Sequence, residues 1–175
     1  ALSSHGERAV VAEDRQFFGL DAYKKVITSG ADVIFLCAPP AFRPQHLQAA
    51  VEAGKHIFAE KPMAVDMTGI KSVLESTKLA KEKNLTIQHG YCWRYAFRTQ
   101  EAYKKVLDGE LGRIISIYGS YRGGIPKMLP KDAKQPEGMS DVEWQLRWWH
   151  NFEWLSGGPL VEQAIHTVDK AVSYT

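Results

Sequence analysis

The sequence has little of three things that would assign a protein to a class at once: cysteine, net charge and long apolar runs. Two cysteines, Cys37 and Cys92, are too few for a disulfide framework, so a packed core has to stabilise the chain. The 22 basic and 20 acidic side chains leave a net charge of +2, so we expect no nucleic-acid partner. The longest apolar run, residues 33–42, contains two prolines and is far shorter than the roughly 20 residues of a membrane helix, so we expect no membrane span.

The sequence also lacks the glycine-rich turn with which many nucleotide-binding sheets begin. A doubly wound sheet that binds a dinucleotide needs Gly-x-Gly-x-x-Gly after its first strand and an acidic residue about 20 positions later. Neither precedes the first clear strand of this chain. The few residues before position 21 are also too few for two more strands.

What the first half does contain is an alternation of apolar runs and amphipathic helices. The run 33–37 predicts a strand buried on both faces, and 56–59 and 85–87 predict two more. Helices of ten to fifteen residues separate them, which indicates βαβ units in a doubly wound parallel sheet over residues 20–90. Ligands of such sheets bind at the carboxyl ends of the strands.

The pattern changes after residue 90. A helix is predicted near 97–108, and the alternation over 113–121 predicts a half-exposed strand of an antiparallel sheet. A long loop follows over 123–143, and Gly157-Gly158-Pro159 opens a last helix. The fold class is therefore α/β, a partial Rossmann-type doubly wound sheet followed by the start of an α+β domain.

The tripeptide Glu60-Lys61-Pro62 is the sharpest local signal, because it follows a predicted strand at the ligand-binding edge. Pro62 restricts the backbone, so Lys61 would be presented from a rigid turn. A lysine in a partly dry cleft can donate a proton or hold a substrate hydroxyl. By itself the tripeptide is equally consistent with an exposed surface lysine, which is the common case.

A second signal lies in the last helix, where Glu162, His166 and Asp169 share one side. Helical geometry places them beside an apolar stripe that includes Val161 and Val168, at the rim of a buried face. A carboxylate beside an imidazole can orient it and raise its basicity. An ordinary polar pair at a core boundary has the same spacing. The sequence has no His-Glu-x-x-His and no cysteine pair, so we expect no metal.

Four of the five tryptophans lie within residues 144–154. Trp149 of this cluster is a candidate to stack on a sugar ring, because tryptophan presents a large flat apolar face. Trp144 and Trp148 also have helical spacing, which is more often typical of core packing.

From about residue 20 to its end, the sequence resembles the Gfo/Idh/MocA family, the group of glucose–fructose oxidoreductase and inositol dehydrogenase. The segments that carry the resemblance are, in order, 31–40, His46, 53–56, Glu60-Lys61-Pro62, Trp93-Arg94-Tyr95, 107–112 and 157–169. Each is weak alone, and their order makes the set specific.

The resemblance implies a nicotinamide-dependent oxidoreductase that transfers a hydride to or from a sugar, cyclitol or related polyol. Lys61 would hold the reacting oxygen, His166 would be the general base, and Glu162 would orient the substrate or the imidazole. Asp169 would support His166, and Trp149 would contact the substrate. The residues expected along the cofactor, NAD or NADP, are Ala38, Pro39, Pro40, His46, Glu60, Lys61 and Arg94.

The sequence departs from the family pattern in two places. Many members have Asp at the position of Glu162, and the glycine-rich turn is missing with its two strands. We therefore expect an internal fragment of a longer protein, with residues 1–90 from the dinucleotide-binding domain and 91–175 from the start of a truncated substrate domain. The residue that selects NAD or NADP would lie upstream of Ala1.

Two alternatives remain open at this point: a glycosidase of the same family that keeps its nicotinamide cofactor, and a non-catalytic sugar-binding or regulatory module. We expect the parent protein to be a homo-oligomer. A cytoplasmic location is favoured, and a twin-arginine signal at the parent's N-terminus would instead direct export to the periplasm.

Overall fold

The computed structural model describes residues 10–124 and 128–173. Three strands form one sheet in the order β1 (Val33–Leu36), β2 (His56–Ala59) and β3 (Ile87–His89). The α-helices are α1 (Ala22–Ile27), α2 (Arg43–Glu52), α3 (Met67–Glu82), α4 (Phe97–Leu107), α5 (Asp141–Arg147), α6 (Glu153–Ser156) and α7 (Ile165–Ser173).

All strand pairs are parallel, which confirms the predicted βαβ alternation. Val33 pairs with His56 across β1 and β2, and Ile57 pairs with Ile87 across β2 and β3. Helix α2 connects the first two strands and α3 connects the next two. Because parallel strands require a crossover connection, these helices return the chain to the same end of the sheet each time. The three strand exits therefore lie side by side along one edge.

The core lies between the sheet and the helices α2 and α3, which pack against each other. Helix α3 begins where predicted, since the carboxylate of Asp66 accepts a 2.6 Å hydrogen bond from the backbone of Gly69. The buried apolar residues of this layer are Ile27, Ile34, Leu36, Leu47, Ala50, Val51, Ile57, Ala59, Met63, Val73 and Ala80.

The prediction that the first strand is buried on both faces is wrong. Only Ile34 and Leu36 of β1 are buried, whereas Val33 is exposed and Phe35 keeps 67% of its surface exposed. Within residues 10–124 and 128–173, one helical layer covers one face of the sheet, so residues of alternate parity face solvent. Phe35 stacks on Phe58 of β2 across this open face.

The third strand begins at Ile87, two residues later than predicted. The backbone N–H of Leu85 is already bound to the carbonyl of Ala80 at the end of α3, at 2.8 Å. The N–H of Thr86 is bound to Nδ1 of His56 at 3.0 Å. Neither N–H is therefore available for backbone pairing with β2, and the strand starts after them.

The strand predicted over residues 113–121 is also wrong, since the structure places this described segment in an irregular conformation. A strand needs a partner for its backbone groups. In the described part of the chain the segment has none, and Tyr118 within it is 96% exposed. The alternation of apolar residues predicts a strand from local sequence and carries no information about a neighbouring strand.

Gly90, directly after β3, leaves room for the side chain of Glu60. A Cβ at position 90 would lie 3.0 Å from the Cα of Glu60 and within 2.8 Å of its carboxyl carbon. We therefore expect Gly90→Ala to displace Glu60 and to lower the free energy of unfolding by about 1–3 kcal/mol, the range for overpacking. Denaturant unfolding of the two proteins measures this difference.

Gly124→Ala is the matched control, because a Cβ there would meet nothing within 4 Å and the residue is exposed. We expect the control to stay within about 0.5 kcal/mol of the parent. If the two substitutions lower the free energy of unfolding equally, contact with Glu60 does not require glycine at position 90.

Candidate active site

The exit of β2 presents Lys61 on a short, well-anchored turn. The N–H of Glu60 continues the sheet by donating to the carbonyl of Leu36 at 3.1 Å. The peptide bond between Lys61 and Pro62 is cis. The side chain of Glu60 lies against Gly90, at the exit of the neighbouring strand. The turn thus lies at the carboxyl edge of the sheet, where the sequence analysis expected a ligand.

The last helix reaches this edge through a π-helical turn over Leu160–Ala164, followed directly by α7. Gly157 and Gly158 precede it, both with φ near +76°, which glycine adopts without the steric cost of a Cβ. The π-turn contains Glu162. Such turns often mark functional sites, because they break the regular hydrogen-bond ladder.

The orientation of this helix differs from the prediction. Glu162, His166 and Asp169 are the buried residues, while Val168 and Val172 of the expected apolar stripe are exposed. The polar side of the helix faces the strand exits. The three predicted side chains therefore share one buried face, whereas the expected apolar stripe is exposed at Val168 and Val172 and half-buried at Val161 and Ile165.

Lys61 and Glu162 form an ion pair across 101 residues of sequence, with Nζ 2.6 Å from Oε1. Lys61 also donates to the backbone carbonyl of Glu162. The two side chains are only 14% and 10% exposed. The other carboxylate oxygen of Glu162 accepts from the amide of Gln163. Both oxygens of Glu162 are therefore already bound by protein donors.

His166 lies one turn after this pair and stacks on Tyr121, with ring centroids 5.7 Å apart. Its Nδ1 is buried and has no hydrogen-bond partner in the described residues. Burial lowers the pKa of His166 below its ordinary value of 6.5, and the positive charge of Lys61 lowers it further. The lowered pKa favours the neutral imidazole near pH 7, and its buried Nδ1 is a polar atom that no described residue binds.

Other charges near His166 modify this effect. The carboxylates of Glu162 and Asp169 raise the pKa of His166, and the ammonium of Lys170 lowers it. Lys170 itself lies 4.5 Å from the ring centroid of Trp93.

Arg94 donates to the carboxylate of Asp169 from both Nε and Nη2. The Nε lies 3.0 Å from each carboxylate oxygen. Such bidentate pairs fix geometry as well as charge. Arg94 belongs to the turn Cys92–Tyr95 after β3, so this pair attaches α7 to a second strand exit. The structure thus pairs Asp169 with Arg94, whereas the sequence analysis expected a support for His166.

Three residues expected along the cofactor, Ala38, Pro39 and His46, line a cavity of about 760 Å³ beside the open edge of β1. His46 is stacked between the rings of Tyr23 and Phe42, with centroids 4.3 and 5.9 Å away. Burial lowers the pKa of His46, which the charge of Arg43 lowers further.

Pro40 is fully buried in the turn that follows β1 and does not line that cavity. Trp149 stacks on His150, with centroids 3.6 Å apart. A smaller cavity of about 360 Å³ lies beside Glu162 and is lined by His150 and Asn151, not by Trp149. The structure therefore does not place Trp149 beside Glu162 in this cavity.

Three residues that were not predicted contact the predicted residues or their turn: Arg43, Gln163 and Tyr121. Only Arg43 had a signal, because helical spacing puts it on the apolar face of α2 with Leu47 and Val51. Neither of the other two stands out in the sequence.

In the residues that the structure describes, no group of three or more His, Cys, Asp or Glu side chains is arranged to hold a metal ion. Over the same residues, every helix is too short or too polar to cross a membrane.

Comparison with known proteins identifies the family of this chain. Residues 1–91 match the profile GFO_IDH_MocA, described as an oxidoreductase family with an NAD-binding Rossmann fold. The D-glucoside 3-dehydrogenase of Escherichia coli (strain K12) is 27% identical over 143 residues, which cover 81% of this chain and 35% of that protein.

Solved structures agree. The myo-inositol 2-dehydrogenase of Lactobacillus plantarum superposes with a TM-score of 0.63 at 28% identity, covering 87% of this chain and 40% of that one. The aldose–aldose oxidoreductase of Caulobacter crescentus shares the fold, with a TM-score of 0.65 at 22% identity over 99% of this chain and 46% of that one.

The chain thus spans about a third of the length of the curated relatives that it matches. The profile covers more than half of its residues, including all three strands and the Glu60-Lys61-Pro62 turn. The chain therefore belongs to the Gfo/Idh/MocA family of oxidoreductases with an NAD-binding Rossmann fold.

Proposed function

We propose that the complete protein carrying this chain is a nicotinamide-dependent dehydrogenase of a sugar, cyclitol or related polyol. One observation carries the proposal: Lys61, from the family's nucleotide-binding part, meets Glu162 beside the unpartnered Nδ1 of His166. Relatives named as glucoside and inositol dehydrogenases support the substrate class. In this proposal residues 1–90 belong to the cofactor domain and 91–175 to the substrate domain.

The residues present fit a nicotinamide dinucleotide. Ala38 and Pro39 line a cavity at a strand exit, the position at which open α/β sheets bind nucleotides. Glu60 and Lys61 follow the neighbouring strand, so the cofactor would lie along these two exits. When bound, nicotinamide supplies the hydride chemistry at its C4 position.

In this proposal the chain's own residues manage the oxygen and the proton. The Lys61 ammonium has three donors, of which Glu162 takes two. In this proposal the third donor binds the reacting oxygen, where it stabilises developing negative charge. His166, as a neutral imidazole, accepts the hydroxyl proton as the O–H bond breaks. Glu162, with both oxygens bound, holds Lys61 in place and does not act as the base.

Asp169 and Arg94 have a supporting role in this proposal. The bidentate pair fixes α7 over the exit of β3, which keeps His166 at the cleft. The two alternatives, a family glycosidase and a non-catalytic module, have no observation in their favour. A nicotinamide cofactor that stays bound and is not consumed during turnover would identify the glycosidase. A protein whose function survives the loss of Lys61 would be the non-catalytic module.

We expect Lys61→Ala in the complete protein to lower kcat by about 10²–10³-fold, as is typical for loss of one donor to a developing oxyanion. The dissociation constant for NAD(H) should change much less, because the ammonium acts on the reacting oxygen. Steady-state kinetics and fluorescence titration of NADH measure the two effects.

Lys71→Ala is the control, since Lys71 is an exposed lysine of α3 that is in none of the ion pairs of the described residues. It should leave both quantities unchanged. If the Lys61→Ala protein keeps the parental kcat, Lys61 does not take part in the reaction.

The pH dependence gives a second test, because His166 must be neutral to accept a proton. Burial and Lys61 lower its pKa, so kcat/KM should rise with pH through an apparent pKa below 6.5. Lys61→Ala removes a nearby cation and should move this limb to higher pH. Glu162→Gln removes a carboxylate that raises the pKa and should move the limb to lower pH.

His166→Ala should lose this acid limb and about 10²–10⁴-fold in kcat/KM, the range for a positioned general base. NMR titration of the His166 ring measures the same pKa without relying on activity. Shifts of equal sign in the Lys61 and Glu162 variants would contradict the electrostatic assignment.

A further inference from the structure

Arg43 is a charged residue in an apolar place. It is the first residue of α2, is 2% exposed, and shares the buried face of that helix with Leu47 and Val51. Desolvation lowers the pKa of its guanidinium. Buried charges are usually held by an opposite charge. In the described part of the chain, Arg43 is in none of the ion pairs.

The guanidinium instead binds two backbone carbonyls that come from different strand exits. Its Nε donates to the carbonyl of Pro62 at 3.2 Å, and its Nη1 donates to the carbonyl of Leu36. The same Leu36 carbonyl accepts the N–H of Glu60 at 3.1 Å. Arg43 therefore joins the last residue of β1 to the turn after β2.

These contacts hold the residues on both sides of Lys61. Glu60, the residue before it, is tied to Leu36, and Pro62, the residue after it, is tied to the Arg43 fork. Arg43 thus binds the residue after Lys61 directly, and it shares the Leu36 carbonyl with the residue before Lys61. A planar guanidinium can hold two carbonyls at fixed angles, which a lysine ammonium on a flexible stem does not do.

We propose that Arg43 is a positioning residue for the dehydrogenase reaction, acting by fixing the turn that presents Lys61. The proposal rests on the proposed function, because it requires Lys61 to act in catalysis. Catalytic groups need placement to about 0.5 Å, and a misplacement of about 1 Å can cost on the order of 10²-fold in rate. The fork fixes the backbone from which Lys61 extends, and the ion pair with Glu162 fixes its side chain.

The first test is Arg43→Lys in the complete protein, which keeps the charge and loses the fork. With myo-inositol and methyl glucoside as probe substrates, we expect kcat to fall by about 10–100-fold. KM for the same substrate should stay within about threefold, since the substrate's own contacts remain. An unchanged kcat in a folded Arg43→Lys protein would overturn the proposal.

Lys83→Met provides a matched control within the same layer. Lys83 Nζ donates to the carbonyls of Val51 and Glu52, at 3.2 and 2.7 Å, so it also clamps backbone from a side chain. This clamp lies at the other end of α2, away from the strand exits. We expect its loss to lower Tm and to leave kcat unchanged.

A double-mutant cycle separates positioning from general stabilisation. If Arg43 acts through Lys61, Arg43→Lys should cost nothing further in single-turnover rate once Lys61 is Ala. An equal fold-loss in both backgrounds would mean that Arg43 acts on the fold alone and would overturn the proposal. A Lys61→Ala protein with parental kcat would instead contradict the proposed function, so the two failures are distinguishable.

Circular dichroism and thermal unfolding establish which variants are folded before the rates are compared. Arg43→Gln is the second variant, since it keeps one donor and loses the charge, and we expect a kcat loss at least as large as that of Arg43→Lys. Unfolding of both Arg43 variants would assign the residue to fold stability and overturn the positioning role.

Discussion

The ion pair between Lys61 and Glu162 is the contact on which the arrangement of the site depends. Each side chain is largely shielded from water, so each charge needs the other. Removing one partner of such a buried pair leaves an uncompensated charge and typically costs about 3–5 kcal/mol, whereas an exposed pair contributes about 0–1 kcal/mol. The pair therefore holds the last helix against the carboxyl edge of the sheet.

A second pair, Arg94 with Asp169, repeats this attachment one strand further along. The first pair binds the π-turn at the exit of β2, and the second binds α7 at the exit of β3. His166 lies between Glu162 and Asp169 in the sequence. Two attachments, one on each side, determine the position of its ring better than either would alone.

Burial at the strand exits is the main cause of the lowered pKa of His46, His89 and His166. The nearby cations Arg43, Arg94 and Lys61 lower these pKa values further. In the unfolded chain these imidazoles would have ordinary pKa values, so the unfolded state binds more protons as the pH falls below 6.5. Stability is therefore highest above that pH and declines in acid.

The sequence by itself determined the α/β alternation, the sheet edge at which Lys61 lies and the shared helix side of Glu162 and His166. These follow from local patterns: apolar runs, glycine stops, a proline after a strand and spacing along one helix. Only the family resemblance joined Lys61 to the other two residues as a candidate site. The order of the motifs was enough to identify the family, because it does not depend on side-chain contacts.

Tertiary structure alone decided how these residues meet. Helical periodicity predicted that the apolar stripe with Val168 is buried, but the ion pairs and a π-turn present the polar side of α7 to the sheet. Arg43 could be noticed as a charge on an apolar helix face, but its two carbonyl partners come from strand exits 7 and 19 residues away in sequence. Local patterns record which face of an element is apolar. Which buried charges find partners depends on distances between elements that only the folded chain defines.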